Sequence, residues 1–242
     1  MDRPSSSEDN LLFLWSPPRS FSTAFLRMMI ERGDHLVIHE PFSSIVVQGY
    51  VTIEGNKISD QYELLKTLEN LSVDGRVFVK ETTEYRYDIV DHPRFPLAGC
   101  HTFIIRDPKS VISSHYAMNP DATCAEIGFE HQFEILRTVY EKTGVRPVVL
   151  EAEELASNPA AAVRDYCERV GIDFVKSALS WEPGDRKEWS RTRKWHATAA
   201  QSNGFEYIPR IYEDSVENNA TLASYYEYQR PFYERMRPFL VK

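Results

Sequence analysis

The sequence is poor in cysteine: Cys100, Cys124 and Cys167 are scattered and odd in number. That excludes a disulfide framework and a cysteine-built metal knuckle, and makes a reducing cytoplasm the expected compartment. It lacks an apolar run of the roughly 20 residues that span a bilayer. The opening residues, Met1 to Asp9, contain no secretion-type hydrophobic segment. Residues 1–9 are therefore expected to be a disordered tail before a single domain over residues 10–242. Basic charge is also scarce. A net charge of −8 excludes the broad Lys- and Arg-rich face that nucleic acid or an anionic membrane requires. The seven histidines show no metal-ligand spacing, so no metal centre is expected. The Gly-x-x-x-x-Gly-Lys-Ser/Thr pattern of a nucleoside-triphosphate loop is missing as well.

What is present is a regular alternation. Short apolar runs recur at Leu11 to Trp15, His35 to Ile38, Arg76 to Val79, Thr102 to Ile105 and Pro147 to Leu150. Helical patterns separate most of them, which predicts an α/β fold: a P-loop-like parallel sheet of about five strands with helices on both faces. Helices are expected after Ser20 up to Gly33, from Asp60 to Leu71, from Glu126 to Lys142, from Ala160 to Val170 and from Ser224 to Phe239, the last kinked at Pro231. Ser43 to Lys57 reads as loop. Ser180 to Pro209, rich in Trp, Gly, Pro and basic residues, reads as a long functional loop with some helix.

Four motifs carry candidate chemistry. The first strand runs into Pro18-Arg19-Ser20-Phe21-Ser22-Thr23, a hydroxyl-rich turn with one arginine at a helix start. Such a turn aims N–H groups, hydroxyls and the positive helix end at an anion. Its plain structural alternative is a turn with an N-cap serine. Arg106-Asp107-Pro108 follows the fourth apolar run, with Ser114 eight residues after Arg106. A guanidinium and a hydroxyl so placed could grip a second phosphate, or the arginine could pair with a surface carboxylate. His39-Glu40-Pro41-Phe42 follows the second run, where strand ends line a ligand crevice. Glu40 could serve as a base there, with His39 in reserve, or Glu40 could pair with a nearby cation. Lys80 ends the third run and could touch the transferred group or bridge to Glu40 or Glu81. His101 and His115 read as packing or surface residues.

The first two motifs together resemble the sulfotransferases that use 3′-phosphoadenosine 5′-phosphosulfate (PAPS), specifically a small bacterial and plant-type branch with an Arg-Ser-x-Ser-Thr loop and a Glu-Pro-Phe segment. The similarity extends through Val148 to Leu155 with Pro159, Trp181-Glu182-Pro183-Gly184, Trp195 and Ser202-Asn203-Gly204-Phe205. The resemblance implies sulfonate transfer from PAPS to a hydroxyl, or second an amine, of a small molecule. It implies that Arg19, Ser20, Phe21, Ser22 and Thr23 hold the 5′-phosphosulfate, Arg106 and Ser114 the 3′-phosphate, and that Glu40 is the base. Two departures stand out. Phe21 occupies a place where many members have Gly, so a positive φ is not expected there. The C-terminal Arg-Lys-Gly-x-x-Gly signature is absent, and the Trp195 to Phe205 segment stands in for it, with Ser202 and Gly204 as cofactor candidates. A small-molecule kinase and an inactive nucleotide-binding protein of the same fold are the alternative readings. Tyr50, Phe129 and Tyr207 are compatible with an apolar or phenolic acceptor. The acceptor's identity and the oligomeric state are not readable from the chain.

Overall fold

The computed structural model describes residues 10–206 and 210–241; the expected tail at residues 1–9, and Tyr207, lie outside them. Five strands form one sheet: β1 (Leu11–Ser16), β2 (Leu36–His39), β5 (Val77–Thr82), β6 (Cys100–Ile105) and β7 (Val148–Glu151), in the order β2-β5-β1-β6-β7. Every pairing is parallel. Side chains alternate across a strand, so each central strand feeds two cores. Leu11, Phe13 and Trp15 of β1 pack on one face with α3 (Gln61–Asp74), α5 (Phe129–Thr143) and α9 (Ala220–Met236). Leu12 and Leu14 pack on the other with α1 (Ser22–Arg32) and α7 (Pro159–Val170). Each fully buried Leu or Phe contributes roughly 1.5–3 kcal/mol.

Several boundaries differ from the sequence expectation for identifiable reasons. Ser43 to Lys57 is not loop. It forms α2 (Pro41–Gln48) and a hairpin of β3 (Val51–Ile53) and β4 (Asn56–Ile58), turned at Glu54 and Gly55, both at positive φ. The helix expected from Glu126 is interrupted at Gly128, whose φ of 88° lets the backbone pass so close to Thr83 that a Cβ would lie 2.7 Å from its carbonyl oxygen. Only then does α5 begin. Asp60 and Asp107 cap α3 and α4 (Pro108–Tyr116) by accepting from first-turn N–H groups. Within residues 180–206 the chain forms a 3₁₀ segment (Lys187–Thr192) and α8 (Arg193–Gln201). Pro231 lies inside α9.

Four strand-end turns position the site. Because all strands are parallel, the turns after β1, β2, β5 and β6 gather at one edge, and the strand order reverses between β1 and β6, where ligands of open α/β sheets bind. Buried Gln132 of α5 ties that crevice together: its amide donates to the carbonyls of Trp15 (3.0 Å) and Ile104 (2.8 Å).

Candidate active site

The hydroxyl-rich turn after β1 is built from strained backbone. Arg19 (φ 64°) and Phe21 (φ 60°) both adopt the left-handed region, which costs a non-glycine residue roughly 1–2 kcal/mol. The expectation that Phe21 avoids positive φ is therefore corrected. Its ring packs 5.1 Å from the Arg106 guanidinium, an anchor glycine could not supply. Phe21, not Ser20, occupies the N-cap of α1, and no side chain caps that helix. Ser20 Oγ instead bonds the Pro18 carbonyl at 3.4 Å.

The two sequence motifs meet in one knot. Arg19 Nε donates to Ser114 Oγ (3.0 Å), Arg19 Nη1 to the Trp195 carbonyl (3.1 Å), and Arg106 Nη1 to the Arg19 carbonyl (2.7 Å). Arg106 Nε lies 3.6 Å from Glu153 Oε1 and is buried without a hydrogen-bond partner. Burial, with Arg210 and Arg106 close by, lowers the Arg19 pKa below its ordinary value. Positive charge is thus concentrated at the open end of α1.

The opposite wall comes from β2 and β5. Their register sets His39 beside Lys80, and the Glu40 N–H donates to the Lys80 carbonyl at 2.7 Å. Lys80 Nζ pairs with Glu40 Oε1, and His39 Nε2 lies 3.7 Å from the same oxygen. Burial pushes the Glu40 pKa up, but Lys80 and His39 outweigh it and hold it at about 2. Burial, aided by Lys80, lowers His39 to about 4. Glu40 itself sits at φ 48° as the N-cap of α2. Behind it, buried Glu81 accepts from the N–H groups of Phe42 (2.7 Å) and Thr82 (2.9 Å) and from Tyr87 Oη (3.1 Å).

Both walls enclose a single cavity of about 840 Å³, large enough for a nucleotide and a second small molecule. Arg19, Ser20, Phe21, Ser22, Thr23, Arg106, Ser114, His39, Glu40, Lys80, Ser202 and Gly204 all line it. Ser202 Oγ donates to the Ala199 carbonyl (2.9 Å), and Gly204 bridges Ser180.

The family model for the sulfotransferase domain matches residues 11–238. The chain belongs to the sulfotransferase domain family. It is similar to branched-chain-amino-acid aminotransferase-like proteins 2 and 1 of Arabidopsis thaliana, each 26% identical, over 81% and 82% of this chain. The chain spans 36% and 37% of the length of those two relatives. Among solved structures, the sulfotransferase domain from the curacin biosynthetic pathway shares the fold. Its TM-score is 0.50 at 13% identity, covering 90% of this chain and 96% of that one.

The candidate site also contains residues that sequence reasoning missed. His196 of α8 is buried, with Nδ1 2.9 Å from Thr23 Oγ1 and its ring 4.8 Å from that of His39, nearly perpendicular. Burial, then His39 and Lys80, lower its pKa to about 3. Glu84 also lines the cavity, pushed up to about 7 by burial and by Glu40 and Glu126. Tyr85, Arg210 and Tyr212 also line it. Of the aromatics considered for the acceptor, Phe129 packs in the core against Tyr233 and Tyr50 lies under Lys57. Among the described residues, His39, Glu40 and His196 are the group that could hold a metal, with ligand atoms within 4.8 Å of one another. The spacing along the chain does not reveal this cluster. Lys80 fills the cation's place on Glu40, so the donor set fits proton handling better than metal binding. No helix among the described residues is long and apolar enough to cross a membrane.

Proposed function

We propose that this chain acts in the cytoplasm through its sulfotransferase domain, moving a sulfonate from PAPS to the hydroxyl of a small molecule, an amine being the second acceptor class, without a divalent metal. The observation that carries the reading is one cavity with a cationic, uncapped helix start on one wall and a Glu40–Lys80–His39 cluster on the other. In the transfer, the acceptor oxygen bonds to sulfur while the bond from sulfur to the 5′-phosphate oxygen breaks. The electron pair leaves with the phosphate, giving adenosine 3′,5′-bisphosphate, and the acceptor's proton goes to the base. Arg19 and the N–H and hydroxyl groups of Ser20, Phe21, Ser22 and Thr23 face the charge that builds on the leaving phosphate. Arg106, whose buried Nε has no hydrogen-bond partner, holds the 3′-phosphate together with Ser114.

Glu40 takes the proton. Its low pKa in the resting site reflects the Lys80 ammonium; when a sulfonate arrives, Lys80 moves its charge toward the sulfonate oxygens and Glu40 gains basicity. One observation favours His39 as base instead: its Nε2 is buried without a hydrogen-bond partner and its ring is neutral at neutral pH. Single-turnover transfer separates the two. Glu40→Gln should retain cofactor affinity while the rate falls about 10²–10⁴-fold, the range for a lost general base. A rate near wild type would leave Glu40 structural and turn the test to His39.

A further inference from the structure

We propose that His196 is a positioning residue for sulfonate transfer, holding the Thr23 hydroxyl so that its proton points at the leaving phosphate; this rests on the PAPS reading above. Thr23 stands in the first turn of α1, in the anion turn, and His196 reaches it from α8, a separate element. The contact between Thr23 Oγ1 and His196 Nδ1 is 2.9 Å, a full hydrogen bond whose direction depends on the imidazole tautomer. A neutral imidazole can serve at either end. If Nδ1 accepts, the threonine proton is spent on His196 and lost to the cavity. If Nδ1–H donates, Thr23 Oγ1 accepts, and its own proton is left to donate to an oxygen anion beside the helix start.

An anion in the turn selects the second arrangement, because it attracts the threonine proton and rewards a donor behind the oxygen. The result is a chain, His196 Nδ1–H to Thr23 Oγ1–H to phosphate oxygen, that strengthens as charge develops on the leaving group. The chain passes no proton to the substrate; it orients a donor, and the proton exchange that sets the imidazole tautomer is complete once the nucleotide is bound. The surroundings keep the ring in place and uncharged. The side chain is buried, its ring lies 5.9 Å from that of Trp189 and 4.8 Å from that of His39, and the Lys80 and Arg19 cations nearby oppose protonation. Since the chain tightens with leaving-group charge, it acts more on kcat than on KM.

The test combines kinetics with histidine ¹⁵N NMR. His196→Phe should lower kcat roughly 10–100-fold with little change in KM for PAPS, below the effect of losing a direct oxyanion donor. His196→Asn, whose amide can reach the Nδ1 position, should recover most of it. Thr23→Val should lose a similar amount, and the Thr23→Val/His196→Phe double variant should lose no more than Thr23→Val alone. In the wild type, adenosine 3′,5′-bisphosphate should convert His196 to the Nδ1–H tautomer. Losses that multiply, failure of His196→Asn to recover activity, or a tautomer fixed at Nε2–H with the nucleotide bound would each overturn the proposal. If the nucleotide moves no resonance at all, the PAPS reading falls first, and this positioning role with it.

Discussion

Two helices start at the same sheet edge in almost the same way and meet opposite fates. α1 begins at Phe21 and α2 at Glu40, both at positive φ and both without a side-chain cap at the N-cap residue. Each therefore presents unsatisfied N–H groups and a positive dipole end. In α2 those groups are filled from inside: Glu81 Oε2 accepts from Phe42 N–H at 2.7 Å and from Ser43 N–H at 3.3 Å. The charges gathered at α1 are instead Arg19 and Arg106, and its first turn opens into the cavity. An internal carboxylate turns one helix start into scaffold, while the other gathers arginines and faces the cavity. The scaffolded start carries Glu40, so under the proposed function the base stands on the rigid junction and the donor on the one that faces the cavity.

The comparison breaks most visibly at Glu81. Glu81→Ala should destabilise the fold by roughly 3 kcal/mol or more, since the buried N–H groups of Phe42, Ser43 and Thr82 lose their acceptor together. Glu81→Gln, which keeps one carbonyl acceptor, should cost less. Urea denaturation of both variants checks this, and an unchanged midpoint for Glu81→Ala would mean that α2 is held by other contacts.

The open junction is sharpened by Arg106→Ala. It should weaken adenosine 3′,5′-bisphosphate relative to 5′-AMP by about 1.5–3 kcal/mol, the loss of one charge-assisted contact. Calorimetry with both nucleotides reads the difference, and equal weakening would show that Arg106 does not meet the 3′-phosphate.

Stability against pH gives a gentler probe. His39, His101 and His115 are lowered from an ordinary 6.5 to about 4, chiefly by burial. The unfolded chain then binds protons that the folded one refuses, so stability falls as pH drops from 6.5 to 4. Glu81 and Glu84 are raised from 4.5 to about 8 and about 7, with burial the largest cause, so the folded chain holds extra protons and stability falls as pH rises through that window. Thermal melts should therefore peak near pH 6, and a plateau from pH 5 to 8 would contradict the protonation states assigned to these groups.

The parallel sheet was legible because five apolar runs alternate with helical periodicity, and period alone fixes that architecture. The hydroxyl-rich turn and the Arg106 to Ser114 segment were visible as candidates because each lies within one contiguous stretch, and both line the cavity. Phe21 misled: its ring packs on Arg106, which follows another strand, and no local pattern shows that contact. His196 was invisible for the same kind of reason: only the docking of α8 against α1 brings it to Thr23. The α2 and hairpin region was read as loop because its short elements carry too few residues to show a period.

The most direct test of an open, metal-free donor site on α1 is a pair of thermal-shift titrations: adenosine 3′,5′-bisphosphate in excess EDTA, and ATP with Mg²⁺. A ligand that binds only the folded chain raises its melting temperature by mass action. The bisphosphate should stabilise the protein equally with and without EDTA, while ATP with Mg²⁺ leaves it near its unliganded value. Stabilisation by ATP that requires Mg²⁺, with none from the bisphosphate, would contradict the PAPS assignment and place the site among phosphoryl-transfer enzymes.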